Sequence, residues 1–207
     1  FGPLGSTEPW DRAKGVAVQL QHQHERFRIS REFRVDRLLD DPQTGSVIAI
    51  AFNEFGQLIL SQEGGPLLIA SPDEDDPTKL GEPRVFCKLV SSCQGLLPLN
   101  GDLFVTGQGP DGVGLYRLSD VDRDGELEKA ERLIAFTGGL GEHGPHGLTL
   151  GPDGMLYCII GNFSKPQVPF APTSPVVATY EGDLLEPKME DPGGHAVGVK
   201  APGGTVV

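Results

Sequence analysis

The chain has no apolar run approaching the roughly 18 residues that a membrane-spanning helix needs. Basic residues are scarce: 17 Lys and Arg stand against 29 Asp and Glu, a formal net charge of −12. No basic surface is left to neutralise phosphates, which excludes nucleic acid as a partner. Cysteine is nearly absent, and Cys87, Cys93 and Cys158 form neither a C-x-x-C metal pair nor a C-x-x-C-H haem attachment site. Cys87 and Cys93 flank Lys-Leu-Val-Ser-Ser and could close a small disulfide loop or stand as two buried thiols. Cys158 reads as a small core residue in mid-strand. Long helical patterns are missing as well, whereas 29 Gly and 18 Pro stand out. Together these predict many short strands and turns. With 38% hydrophobic and 22% charged residues over 207 positions, the composition is that of a soluble globular protein with a real core.

What is present is a repeat. Residues Ile48 to Ser61 read as strand, turn at Gly56, strand. Leu96 to Thr106 repeats the pattern around Asn100-Gly101, a strong hairpin dipeptide. Leu148 to Gly161 is a third copy, turning at Gly151-Pro152-Asp153-Gly154, where Pro presets φ, Asp can bond its own backbone and Gly takes a positive φ. A fourth copy begins at Ala196-Val197-Gly198-Val199 and turns at Pro202-Gly203-Gly204. The turn residues Gly56, Gly101, Gly154 and Gly203 lie 45 to 53 residues apart, the spacing of propeller blades. Further strands fill the gaps at 66–70, 113–118 and 133–136. The expectation is an all-β chain, a β-propeller of which residues 26–207 cover about three blades and the start of a fourth. Residues 1–25 form a polar segment ahead of it, with His22 and His24 in a solvated run. Phe27, Ile29, Phe33 and Val35 alternate with charged residues as one or two strands.

The register of the repeats places polar side chains together. Gln94, His146 and His195 each stand just before a first strand, and first strands line the central channel of a propeller. These three residues are therefore expected to ring one channel mouth, with Glu142 and His143 just above. The segment Asp120 to Glu131 matches a twelve-residue calcium loop, with carboxylates at positions one, three and five, Gly125 at six and Glu131 at twelve. Asp120, Asp122, Asp124, Glu126, Glu128 and Glu131 are its candidate metal ligands. Strands rather than helices flank it, which predicts a Ca2+ staple within a blade and not a switch that opens a helix pair. The acidic patch at 73–76 lacks that spacing and reads as solvated.

Glu142-His143 followed by Gly-Pro-Asp-Gly-x-Leu-Tyr, together with Gln94-Gly95-Leu96-Leu97, resembles the glucose/sorbosone dehydrogenase-like propellers. The likeness runs from about Phe27 onward. It is closer still to a membrane-bound-dehydrogenase branch of planctomycete-type bacteria, through Ala51 to Gly56, Glu63 to Leu68, Gly141 to Gly147 and Gly193 to Gly198. The resemblance implies a six-bladed quinoprotein that uses pyrroloquinoline quinone (PQQ) and calcium to dehydrogenate a sugar or related alcohol. It also implies a c-type cytochrome as electron acceptor and a periplasmic or extracellular location. His143 falls on the family's general base, Glu142 on an acidic neighbour and Gln94 on a cofactor-contacting glutamine; His146 and His195 complete the expected cofactor surroundings. A neutral imidazole suits removal of a hydroxyl proton near pH 7. Two other readings stand beside this one. The first is a non-catalytic, calcium-stapled propeller that binds carbohydrate or protein, and the second is a metal or haem site at His146 and His195.

Overall fold

The computed structural model describes residues 18–20, 28–30, 32–141, 143–169, 171–173 and 205–207. The chain divides into two compact units, Phe1–Asp40 and Asp41–Val207. In the first, β1 (Val18–Leu20) pairs antiparallel with β2 (Arg28–Ser30). The alternation at Phe33 and Val35 does not extend this strand. The Phe33 N–H donates to Ser30 O at 3.0 Å and turns the chain, leaving Phe33 exposed.

The second unit is nearly all β, with antiparallel sheets in a propeller-like array and one turn of helix, α1 (Asp41–Thr44). Its first sheet is a meander of β3 (Val47–Phe52), β4 (Leu58–Gln62), β5 (Leu67–Ala70) and β6 (Arg84–Cys87). A second meander follows, of β7 (Ser91–Leu99), β8 (Asp102–Gly109), β9 (Gly112–Ser119) and β10 (Lys129–Thr137). In the third sheet β11 (Pro145–Leu150) pairs with β12 (Leu156–Ile160). Two short strands complete the array: β13 (Lys165–Pro166) adds to β10, and β14 (Thr205–Val206) adds to the free edge of β12. The start of the fourth repeat at Ala196 lies outside the described residues. Among the described residues, no helix is long and apolar enough to cross a membrane.

Local chemistry explains the hairpins. Asn100 and Gly101 both adopt positive φ, at 55° and 84°, as a two-residue turn between right-twisted strands requires. The turns at Asn53 and Gly151 are copies of one another. In each, the glycine N–H three residues on donates back, and the first residue's N–H reaches the carbonyl four residues on (Asn53 to Gln57 at 3.1 Å, Gly151 to Met155 at 2.8 Å). Asp153 Oδ1 accepts the Met155 N–H, the local bond expected of that turn.

Two apolar seams hold the sheets together. Ile59, Leu67, Ile69 and Cys87 of the first sheet meet Cys93, Leu103, Val105, Tyr116 and Leu118 of the second. The opposite face of the second sheet, with Leu115 and Phe136, meets Cys158 and Ile160 of the third. Each fully buried Leu or Ile contributes about 1.5–3 kcal/mol, so the seams outweigh any single polar contact between sheets.

All three cysteines lie buried in these seams as free thiols, so of the two states open to Cys87 and Cys93 the unpaired one is present. Burial pushes the Cys93 thiol up to about 12, with Cys87 beside it adding to the effect, and the Cys158 thiol up to about 11. Near neutral pH these groups are protonated whether the chain is folded or unfolded. Above the ordinary value of 9.0 the unfolded chain ionises first. Stability is therefore full below pH 9 and is lost as pH rises toward the folded values, by about 1.4 kcal/mol per pH unit for each thiol. Urea titrations across this alkaline range should show a shallower decline for Cys93→Ala than for the parent chain. Parallel declines would mean that Cys93 is not sealed from water.

Candidate functional site

The three hairpins share an irregularity at the end away from their turns. Pairing slips between Val47 and Ala49 in β3, between Ser91 and Gly95 in β7, and between Pro145 and Leu148 in β11. Such bulges bend a strand and re-aim side chains. The residues inside the slips include Ile48, Ser92, Gln94 and His146. Gln94 and His146 thus sit within bulged strands rather than ahead of them, because β7 and β11 begin earlier than the apolar alternation suggests. β3 packs beside β7 and β7 beside β11, so the three bulged ends converge.

They converge on an open cleft of about 480 Å³. Gln94 and His146 line it, as do Ser92, Glu63 and the aliphatic Ile48 and Leu140. Two hydrogen bonds fix the loop that carries Glu63. Its own N–H donates to Ser46 O at 2.9 Å, and the Gly64 N–H donates to Ser92 Oγ at 2.8 Å. Ser92 holds a left-handed φ of 49°, a sparsely populated state for a side-chain-bearing residue. His146 is anchored by its backbone: its carbonyl accepts the buried Thr106 hydroxyl at 2.6 Å.

His143 stands in the turn just before β11, three residues ahead of His146 and outside this lining. Its Nδ1 lies 2.6 Å from Asn162 Oδ1, and its ring tilts against Phe163 at 4.4 Å between centroids. An amide oxygen can only accept, so Nδ1 is the donor of this pair. The backbone closes the pair: the Gly161 N–H donates to Gly144 O at 2.7 Å and the Phe163 N–H to His143 O at 3.2 Å. Glu142 and His195 lie outside the described residues.

The acidic loop joins β9 to β10. Carboxylate oxygens of Asp120, Asp122, Asp124 and Glu128 all lie within 4.8 Å of one another. Glu126 and Glu131 are not in that group; Glu131 stands in β10 opposite Arg117. Backbone N–H groups shape the loop: Gly125 donates to Asp120 Oδ2 at 2.9 Å, Glu126 to Asp124 Oδ1 at 2.8 Å, and Val121 and Asp122 to Glu128 Oε1. The loop is not confined to its own sheet. Arg84 of β6 donates to Gly125 O at 2.7 Å, the Leu127 N–H reaches Phe86 O at 2.8 Å, and the Leu127 side chain is buried in the first seam.

Asn162, Phe163, Glu63 and Ser92 are the site residues that strand-start register misses. A hairpin has two ends at one place, so the residues after its second strand lie beside those before its first. Glu63 directly follows β4, and Asn162 stands two residues beyond β12. Reading both ends of each repeat points to them.

No protein-family model matches the chain, and no curated protein matches it.

A Cβ on Gly95 would lie 2.2 Å from His146 O and 2.8 Å from Thr106 Oγ1, whereas one on Gly139 would meet nothing within 4 Å. Gly95→Ala is therefore expected to destabilise the fold by about 1–3 kcal/mol, with Gly139→Ala close to neutral. Denaturant midpoints compare the two; equal midpoints would refute the close β7–β11 approach.

Proposed function

We propose that the chain is part of a β-propeller oxidoreductase that dehydrogenates a sugar or related alcohol at the bulged strand ends, with His143 as general base. The observation that carries this reading is the His143–Asn162 pair. With Nδ1–H held by Asn162, the imidazole would take the proton of a substrate hydroxyl, and the hydride from the adjoining carbon would pass to a bound two-electron organic acceptor. Ser92, Gln94 and His146 supply hydrogen-bonding groups for the remaining hydroxyls, and Ile48 and Leu140 supply apolar surface for a ring face. A periplasmic or extracellular location and a c-type cytochrome acceptor belong to the same reading.

PQQ is the hydride acceptor that the family resemblance implies. It carries three carboxylates, and the described cleft lining offers Glu63 and no Lys or Arg. These residues do not fit that anion, and no step is derived through it. The mismatch favours a second reading, in which the propeller binds a carbohydrate without transforming it. Both readings place a hydroxyl-rich ligand in the cleft.

Calcium suits the acidic loop under either reading. Four carboxylates in mutual reach supply the hard oxygen donors that Ca2+ takes, at loop positions one, three, five and nine. Gly125 at position six has the positive φ, 88°, that the sharp turn requires. Bound there, the ion would neutralise repelling carboxylates and brace the loop that Arg84 and Leu127 tie to the first sheet.

Replacing His143 by Ala should lower dye-coupled sugar oxidation by about 10²–10⁴-fold in the intact protein. Asn162→Leu should cost roughly 10–100-fold, as loss of a residue that orients an imidazole does. Asn162→Asp should retain activity and move the acid limb of the rate profile to higher pH. Unchanged turnover in His143→Ala would discard the base. Separately, Ca2+ at a hundredfold excess over its Kd should stabilise the fold by about 2.7 kcal/mol and raise Tm. Asp122→Asn should remove that rise; a parent Tm indifferent to Ca2+ would sink the staple.

A further inference from the structure

Glu63 is the one Asp, Glu, Lys or Arg among the described residues lining the cleft, and hydrogen bonds hold the backbone that carries it. The two hydrogen bonds that flank it, to Ser46 O and Ser92 Oγ, pin the loop between β4 and β5 to the first sheet and to the bulge of β7. Gly64 makes the turn possible at a φ of 69°. The other polar side chains of the described lining, Ser92, Gln94 and His146, offer hydrogen-bonding groups to hydroxyls. The far field has the same sign as Glu63, because the chain as a whole carries −12. An anion approaching this cleft meets repulsion at long range and the Glu63 carboxylate at the rim, with no Lys or Arg in the described lining to offset either.

We infer that the cleft selects a neutral or cationic polyhydroxylated ligand over an anionic one, and that Glu63 is the specificity-determining residue. The inference rests on the reading that a hydroxyl-rich ligand occupies the cleft, and it holds whether or not that ligand is oxidised. A volume of about 480 Å³ accommodates a sugar of one or two rings. Hydroxyls can exchange hydrogen bonds with Gln94, Ser92 and His146, and an ammonium group can pair with Glu63. A sugar acid, a sugar phosphate or a polycarboxylate is disfavoured by the same group.

The test is a calorimetric titration of the intact protein near pH 7 with glucosamine, glucose and glucuronate, at low salt and again with added NaCl. In the parent protein glucosamine should bind tightest and glucuronate weakest. A like or opposite charge about 5 Å from an exposed carboxylate shifts affinity on the order of fourfold at low salt. Glu63→Gln should therefore raise the glucuronate-to-glucosamine affinity ratio by roughly fifteenfold, one factor from each ligand. Added salt should compress the parent's preference and leave the variant's little changed. A ratio that does not move in Glu63→Gln, or a parent that prefers glucuronate, overturns the assignment of Glu63. If none of the three sugars binds to folded protein, the hydroxylated-ligand reading itself fails and takes the inference with it.

Discussion

The array depends on how closely the first strands of successive sheets approach. β11 can lie against β7 only because Gly95 has no side chain, so the carbonyl of His146 occupies space a Cβ would need. Thr106 satisfies that carbonyl from the neighbouring strand at 2.6 Å, so the approach leaves no buried acceptor unpaired. Backbone contact of this kind is specific in register. It sets which residue of β11 faces which residue of β7, and thereby brings Gln94 and His146 to one cleft.

The bulges make the same contact productive. A regular strand of alternating residues would send neighbouring side chains to opposite faces of its sheet, into the two apolar seams. The pairing slips at Val47/Ala49, Ser91/Gly95 and Pro145/Leu148 release a few residues from that alternation where the strands meet. Ser92 keeps its left-handed conformation in one of them, and its hydroxyl accepts the Gly64 N–H across the sheet boundary. The cleft is thus assembled from breaks in the repeat.

What was legible in the sequence follows from how local each signal is. Asn100-Gly101 and Gly151-Pro152-Asp153-Gly154 form the expected turns because their chemistry is complete within four residues. The flanks of the acidic loop are strands, as the apolar alternation on either side predicts. Short strands such as Arg84–Cys87 and Lys165–Pro166 are too brief to carry a period of their own and form where a neighbouring edge offers hydrogen bonds. The strand expected through Phe33 and Val35 stops at Ser30 for a similarly contingent reason, a single turn bond. The bulges were illegible, since a slip in pairing depends on the partner strand and on the packing behind it. Asn162 was hidden by distance: it stands nineteen residues after His143 and meets it only because β11 and β12 return the chain to its starting level.

Register also separates the two polar sites. In the second sheet Leu118 pairs with Leu103, and Leu99 pairs with Asp102, so the acidic loop that follows Ser119 lies at the Asn100–Gly101 end of the strands. Gln94 and Ser92 lie at the other end of β7. Five residues of extended chain put roughly 17 Å between Gln94 and the Leu99 level. An ion held by Asp120, Asp122, Asp124 and Glu128 is therefore out of reach of any ligand that touches Gln94 or His146. It could not polarise a substrate or bind a cofactor at the cleft. Its influence there must pass through the packing of the first two sheets, where Arg84 grips the loop and Leu127 enters the seam shared with Cys93. Cys93 is the neighbour of both Ser92 and Gln94, so the seam that the loop braces is also the wall behind the cleft.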